Sequence, residues 1–144
     1  MKIAVIDSDA VLEQLPQREQ IGTLLEAEFS QRVSSLREMQ EDLGAMLEQA
    51  QRDSELMSGV EKMELTRSIE SKKYEIEIEG EALDEDMLRR QDEEQQKLLV
   101  KIGEAVSEIA TLDSYDVVLQ RAAVVYCSPA VDIGARVVSL LSAG

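Results

Sequence analysis

The 144-residue sequence predicts a mainly helical α+β protein, in which a long antiparallel helical hairpin is inserted into a small β-rich body. Three observations predict this fold. A narrow apolar stripe runs at helical spacing through the middle of the chain, short Val-rich and Tyr-rich runs lie near its ends, and aromatic residues make up only 3%. We assign residues 18–112 to the hairpin, and residues 1–17 and 113–144 to the body.

The chain opens with a predicted strand and a short helix. Ile3–Ile6 is a continuous apolar run, which is typical of a strand buried on both faces. Asp7, Ser8 and Asp9 follow, and each is a residue type that caps helix N-termini. Pro16 is expected to end this helix, because the residue before a proline is disfavoured in helical geometry.

The hairpin is predicted from apolar residues that recur every three or four positions, on one face of each arm. The outgoing arm carries Leu25, Phe29, Val33, Leu36, Met39, Leu43, Met46 and Ala50. The returning arm carries Leu65, Ile69, Ile76, Leu83, Met87, Leu98, Ile102, Ala105, Ile109 and Leu112. Polar residues fill most other positions, so the stripe fits a coiled-coil seam better than one side of a globular core.

Turn-forming Asp, Ser and Gly residues place the tip of the hairpin near residues 53–60. This turn brings Leu36 opposite the region of Ile78 and Gly80, and Phe29 opposite Met87. Gly44 and Gly80 lie inside the arms, where a glycine costs about 1 kcal/mol relative to alanine. They are either tolerated or close-packed glycines, or a hinge that lets the arms bend.

After residue 112 the pattern predicts a tight β-hairpin, with strands at 115–120 and 123–127 joined by Arg121 and Ala122. Asp132 is then a candidate cap for a closing amphipathic helix. A body of ~45 residues is small for a self-sufficient core. We therefore expect it to oligomerise through apolar strand residues, namely Ile3, Val5, Val117, Val118, Leu119, Val124, Val125 and Tyr126.

The composition excludes several classes of function. A net charge of -15 argues against nucleic-acid binding and polybasic membrane docking, and no apolar run is long enough to span a bilayer. Residues 20–112 hold 23 of the 30 acidic residues. No signal peptide is recognised, so the sequence is either cytosolic or a mature form.

An enzyme is not expected, and neither is a cofactor or metal site. The chain has no histidine and no glycine-rich phosphate loop. The acidic run at 75–87 lacks the spacing of a calcium loop and is interpreted as a solvated helix face. Cys127 is interpreted as a small buried apolar residue.

The methionines suggest a surface that accepts varied partners, because their side chains are flexible and polarisable. Met57 and Met63 flank the tip, where a seam has little to bury, and are the favoured contacts. Met46 and Met87 are further candidates that also fit simple packing of the seam.

Three stretches, KIAVID, LEAEFSQRVSSLREMQEDL and YDVVLQRAAVVYCSPAVDI, resemble the Skp/OmpH family of periplasmic chaperones, and the likeness covers essentially the whole chain. The resemblance implies a jellyfish-like homotrimer whose helical hairpins act as tentacles around a cavity. Unfolded outer-membrane proteins would be held there in the periplasm without ATP. The alternative is a structural or adaptor coiled coil that binds one folded partner.

Some members of that family are proposed to bind lipopolysaccharide through a lysine and, ten residues further on, an arginine pair. The pair is matched by Arg89 and Arg90, whereas Glu79 stands at the lysine position. Lipopolysaccharide binding is therefore not expected for this strongly acidic chain.

Overall fold

The computed structural model describes residues 1–143 and confirms the predicted mainly helical α+β class. The strands are β1 (Ile3–Ile6) and β2 (Val117–Gln120). The helices are α1 (Ser8–Gln14), α2 (Gln17–Asp53), α3 (Gly59–Leu112) and α4 (Gly134–Ser142). The chain divides into two compact units, one made of residues 1–24 and 91–144 and the other of residues 25–90.

In the first unit, β1 pairs in parallel with β2, so that Ile3 lies opposite Val117. On its other side, β1 forms a bridge with Asp132, and the carbonyl of Val5 accepts a 3.0 Å hydrogen bond from the amide of Ile133. Strand β1 therefore lies between two neighbours, which explains why Ala4, Val5 and Ile6 are buried.

The predicted β-hairpin of residues 115–127 is wrong. Arg121–Ala123 form a 3-10 turn, and the chain from 124 to 127 is not a strand. Two-residue hairpin turns need positive φ at one or both central positions, which favours Asn or Gly rather than Arg121 and Ala122. Ser114 is the non-glycine residue with positive φ in the described chain, and it lies before β2.

The first unit buries one apolar core between the strand pair and segments of all four helices. Its buried members are Ala4, Ile6, Val11, Leu15, Leu98, Ile102, Ala105, Ile109, Ile133 and Val137. The Asp7 carboxylate caps α1 by accepting from the amide of Ala10 at 3.1 Å. Leu15 has extended backbone before Pro16, so the predicted break between α1 and α2 is confirmed.

Helix α3 ends in a hydrogen-bonded turn that leads directly into β2. Ser114 adopts a left-handed φ of 59°. The amide of Tyr115 donates to the carbonyl of Ala110 at 2.9 Å, and that of Ser114 donates to Thr111 at 3.4 Å. These are the paired bonds of a Schellman motif, which satisfies the last helical carbonyls.

The second unit packs α2 against α3 along a narrow seam. Leu25, Phe29, Ile69 and Leu83 are its buried members. Leu36 lies opposite Gly80, as predicted, since its Cδ2 is 3.9 Å from where a β-carbon at Gly80 would sit. Ile78 was also predicted opposite Leu36, and Val33 and Met87 were predicted in the seam, but all three are exposed.

The two long helices are separated by a short turn. A 3-10 turn at Ser54–Leu56 follows α2, and α3 begins at Gly59. The Ser58 hydroxyl accepts a 3.1 Å hydrogen bond from the amide of Glu61, so it caps the first turn of α3. The predicted division into an oligomerisation body and a tentacle at residues 17/18 and 112/113 stays a prediction.

Candidate functional site

The predicted contact methionines differ in exposure. Met63 lies on the surface of α3 and Met87 is exposed beside the seam, whereas Met46 and Met57 are half-buried. All four lie in the second unit. Their role in binding stays a prediction.

A second set of apolar side chains faces away from the seam on α3, and of its members the sequence had suggested only Met63 as a contact. Tyr74 lies ~180° around the helix from the buried Leu83, and Ile78 and Leu88 lie ~140° from Leu83 on its two sides. Val60 and Met63 lie ~140° and ~160° around the helix from the seam residue Leu65. We call these five residues the outer row; their exposure ranges from 44% to 67%. They form an apolar face that is not covered within the described chain.

The signal for the outer row is present in the sequence, but it is weak. Its apolar residues are separated by Arg67, Glu70, Glu81 and Glu85, which continue the spacing of three and four. Because charged residues interrupt the row, the whole face resembles an ordinary solvated surface. Only the burial of Ile69 and Leu83 on the opposite side shows that Tyr74, Ile78 and Leu88 stand outside the seam.

The arginine pair is engaged by carboxylates of the second unit. The Nε of Arg90 donates to both carboxylate oxygens of Glu28, at 3.1 and 3.2 Å. Arg89 forms an ion pair with Asp86 at 2.9 Å. An incoming anion would have to compete with these carboxylates for the guanidinium groups. The expectation that lipopolysaccharide is not bound stays a prediction.

Asp86 is the centre of this charged cluster. It accepts a 2.7 Å hydrogen bond from Arg32 on α2 and also contacts Arg89. The hydrogen bond from Arg32, together with the nearby positive charge of Arg89, lowers the pKa of the Asp86 carboxyl below its usual value. Asp86 therefore links the two helices as a carboxylate.

Gly44 and Gly80, the predicted hinge residues, lie within unbroken helix. A β-carbon at Gly44 would meet nothing within 4 Å, and one at Gly80 would make only ordinary contact with Leu36. Neither glycine is required for close packing of the seam. Close packing therefore does not explain these glycines. Tolerance and a hinge remain as explanations.

The predicted oligomerisation residues fall into two groups. Val5 is buried inside the unit, and Ile3, Val118 and Val124 are half-buried. Val117 and Leu119 of β2 are exposed, Val125 is fully exposed, and Tyr126 is 81% exposed. The second group leaves an apolar surface beside a strand whose outer edge has no strand partner among residues 1–143.

The described residues contain no group of acidic, cysteine or histidine side chains arranged to hold a metal ion. No helix in the part of the chain that the structure describes is long and apolar enough to cross a membrane. Cys127 is partly buried, in a cavity of about 480 Å³ that Asp7, Arg121 and Pro129 also line.

The sequence model of the family described as OmpH-like outer membrane protein matches residues 2–141. The chaperone protein Skp of Pectobacterium atrosepticum is 38% identical over 136 residues, a match covering 94% of this chain and 82% of the relative. Skp of Yersinia enterocolitica is 34% identical, with 94% and 83% covered.

Skp of Escherichia coli is 30% identical over 88% of this chain and 77% of the relative. Among solved structures, an OmpH-like outer membrane chaperone from Caulobacter crescentus superposes with a TM-score of 0.85. It covers 99% of this chain and 84% of its own, at 14% identity. This structural likeness concerns the fold alone.

Proposed function

This chain belongs to the OmpH-like family, a family of chaperones rather than enzymes, and we propose that it is an ATP-independent holdase for unfolded outer-membrane proteins. In this proposal it acts in the periplasm, encloses its clients between helical tentacles and delivers them for assembly in the outer membrane. The relatives are named chaperones, and matches to them extend over 94% of this chain.

The observation that carries the proposal is the apolar surface left uncovered on α3. A coiled coil that served only as a rigid spacer would bury its apolar residues in the seam. Here Tyr74, Ile78 and Leu88 face solvent although the seam is formed. Exposed apolar side chains on a helix are suited to hold unfolded polypeptide, which exposes apolar side chains of its own.

We further propose that the chain is a homotrimer assembled through its first unit. Val117, Leu119, Val125 and Tyr126 supply an exposed apolar surface, and β2 offers an unpaired edge. Exposed edges are usually protected, and pairing with a second chain is one way to protect them. Trimer formation would bury this surface and complete the small β-rich body.

The test combines the mass of the native particle with a client assay. Light scattering should give three times the 16.0 kDa chain mass. An unfolded β-barrel protein diluted from denaturant should stay soluble with the chaperone present and ATP absent. Failure to prevent aggregation, together with stable binding to a single folded protein, would support the adaptor alternative instead.

A further inference from the structure

The outer row has the length of an extended peptide segment. From Val60 to Leu88 it runs for about 42 Å at 1.5 Å per residue. An extended chain covers about 3.3 Å per residue, so a segment of about 13 residues would match the row. Its apolar members are exposed and separated by polar positions, so they offer several small contacts instead of one deep pocket.

The charged members of the row are acidic in its central part. Glu81 and Glu85 lie between Ile78 and Leu88 on the same face, and Glu70 precedes Tyr74. Within residues 1–143, neither Glu81 nor Glu85 has an ion-pair partner. The face therefore presents apolar side chains beside carboxylates that are available to a partner.

Charge selects among the possible occupants. Two copies packed in parallel through their outer rows would bring Glu81 and Glu85 close to the same residues of the other copy, and like charges repel. An anionic lipid surface would be repelled for the same reason. A polypeptide with lysine or arginine among its apolar residues complements both features of the row.

We infer that the outer row holds extended segments of unfolded polypeptide in which apolar side chains alternate with lysine or arginine. The inference rests on the proposed holdase function and names the class of segment that the holdase prefers. The strands of β-barrel proteins alternate apolar and polar residues with a period of two, so they supply such segments wherever the polar residues are basic.

Two labelled 13-residue peptides test this inference on the full-length chain. One alternates valine with lysine or serine, and the other has aspartate in place of each lysine. We expect the lysine peptide to bind at least tenfold more tightly in fluorescence anisotropy at low salt. The double variant Ile78→Ser/Leu88→Ser should weaken its binding at least tenfold, since central apolar contacts carry most of the affinity of an interface.

Matched variants separate the two features of the row. Val100→Ser removes a side chain of similar exposure, 61%, from the same helix but outside the row, and should change affinity less than twofold. Glu81→Gln/Glu85→Gln should reduce the preference for lysine over aspartate at least threefold. Equal binding of the two peptides, or equal affinities in the Ile78/Leu88 and Val100 variants, would overturn the inference.

Aggregation assays on the same proteins distinguish this inference from the proposed function. If the wild type protects an unfolded β-barrel protein from aggregation, but Ile78→Ser/Leu88→Ser binds the lysine peptide as tightly as the wild type does, the inference about the outer row is rejected and the holdase function stands. If peptide binding depends on the outer row, but no unfolded β-barrel protein is protected from aggregation, the holdase function is rejected and the peptide site stands. All substituted side chains are exposed, and circular dichroism should confirm unchanged helicity.

Discussion

The carboxylate of Asp86 on α3 accepts a 2.7 Å hydrogen bond from the guanidinium of Arg32 on α2, joining residues 54 positions apart in sequence. Arg90 on α3 makes a similar connection to Glu28 on α2. These contacts lie beside the buried Phe29 and Leu83, so ionic and apolar interactions join α2 and α3 at the same position along the two helices.

Removing the Arg32 contact should lower stability in a pH-dependent manner. Because the folded-state pKa of Asp86 is lowered from its ordinary value of 3.8, the carboxylate stabilises the fold above that ordinary pKa. That contribution is lost as the pH falls through the lowered value. Arg32→Gln should therefore melt below the wild type at about pH 7, and the difference should shrink as the pH falls through the lowered pKa of Asp86.

Lys72→Gln is the matched control, since it removes an ion pair with Glu75 that lies within α3. Its effect on the melting temperature should be smaller, because an ion pair between neighbouring turns of one helix contributes only about 0.3–0.5 kcal/mol. A difference for Arg32→Gln that does not shrink as the pH falls below the ordinary carboxyl pKa would show that the carboxylate of Asp86 is not its source.

The second prediction concerns anion binding by the arginine pair. Glu28 holds Arg90 through both carboxylate oxygens. Lipopolysaccharide should therefore bind the wild type weakly, and Arg89→Gln/Arg90→Gln should bind no more weakly. Glu28→Gln should strengthen binding by releasing Arg90 and removing a negative charge. Calorimetric titration with lipopolysaccharide would measure the affinity of all three proteins. The prediction would be contradicted if the wild type bound tightly and Arg89→Gln/Arg90→Gln lost that binding.

The third prediction separates folding from assembly in the first unit. Val5→Asp should destabilise the chain by several kcal/mol, because it buries a carboxylate without a partner. Val125→Asp changes a fully exposed residue, so it should leave helicity intact while reducing the oligomer to smaller species. Thermal unfolding and light scattering would measure the two effects.

Val60→Asp provides the control for this third prediction, since it introduces the same charge at an exposed position of the second unit. We expect it to remain a native-sized oligomer. If Val125→Asp also remained native-sized and equally stable, the exposed segment around Tyr126 would play no part in assembly.

The fourth prediction is that Gly44→Ala and Gly80→Ala each stabilise the second unit by about 0.5–1 kcal/mol. There is room for both methyl groups, and both residues lie in helix. Amide hydrogen exchange should slow between residues 44 and 80. If the glycines act as hinges, the double variant should also accept a narrower range of client sizes.

Gly22→Ala is the control for this prediction. Gly22 lies in α2, like Gly44, but in the first unit, and a methyl group added there would contact nothing within 4 Å. It should raise stability without changing exchange in residues 44–80 or the range of clients. If the wild type, the Gly44→Ala/Gly80→Ala double variant and Gly22→Ala all accepted the same range of client sizes, the hinge would be excluded. Tolerated glycines would then be the explanation.

The fifth prediction concerns the rate of capture. Residues 75–94 hold ten acidic residues against Arg89 and Arg90 as the basic ones. Cationic clients should be captured faster than anionic clients, and the advantage should shrink as salt rises from about 0.01 to 0.5 M, because the screening length falls. Stopped-flow fluorescence would give the rates. Rates independent of salt and client charge would mean that the acidity serves solubility only.

Local features of the fold were predictable from the sequence because they depend on neighbouring residues. The buried run Ile3–Ile6, the cap at Asp7 and the break at Pro16 each follow from the chemistry of a few consecutive residues. The opposition of Leu36 and Gly80 follows from counting outward from the turn. The helical period then fixes which residues reach the seam.

Features that depend on distant or absent partners were not predictable in the same way. The sequence suggested that residues 115–120 pair with 123–127, because closing a short loop costs little conformational entropy. In the structure β2 pairs with β1 instead. The outward positions of Tyr74, Ile78 and Leu88 were not predicted, because the glutamates around them suggested a solvated face and Ile78 was expected opposite Leu36. Their position opposite the seam became clear only from the burial of Leu83.

The parallel pairing of β1 with β2 has a consequence for biosynthesis. The amide of Lys2 donates to the carboxylate of Asp116, a contact across 114 positions. At about 5–20 residues per second, β1 leaves the ribosome many seconds before its partner strand is made. The backbone hydrogen bonds within α2 and α3 are local, so these helices form more readily than a pairing between distant strands. The sheet is then the last element to form, and a chain truncated after Leu112 would keep β1 without its partner strand.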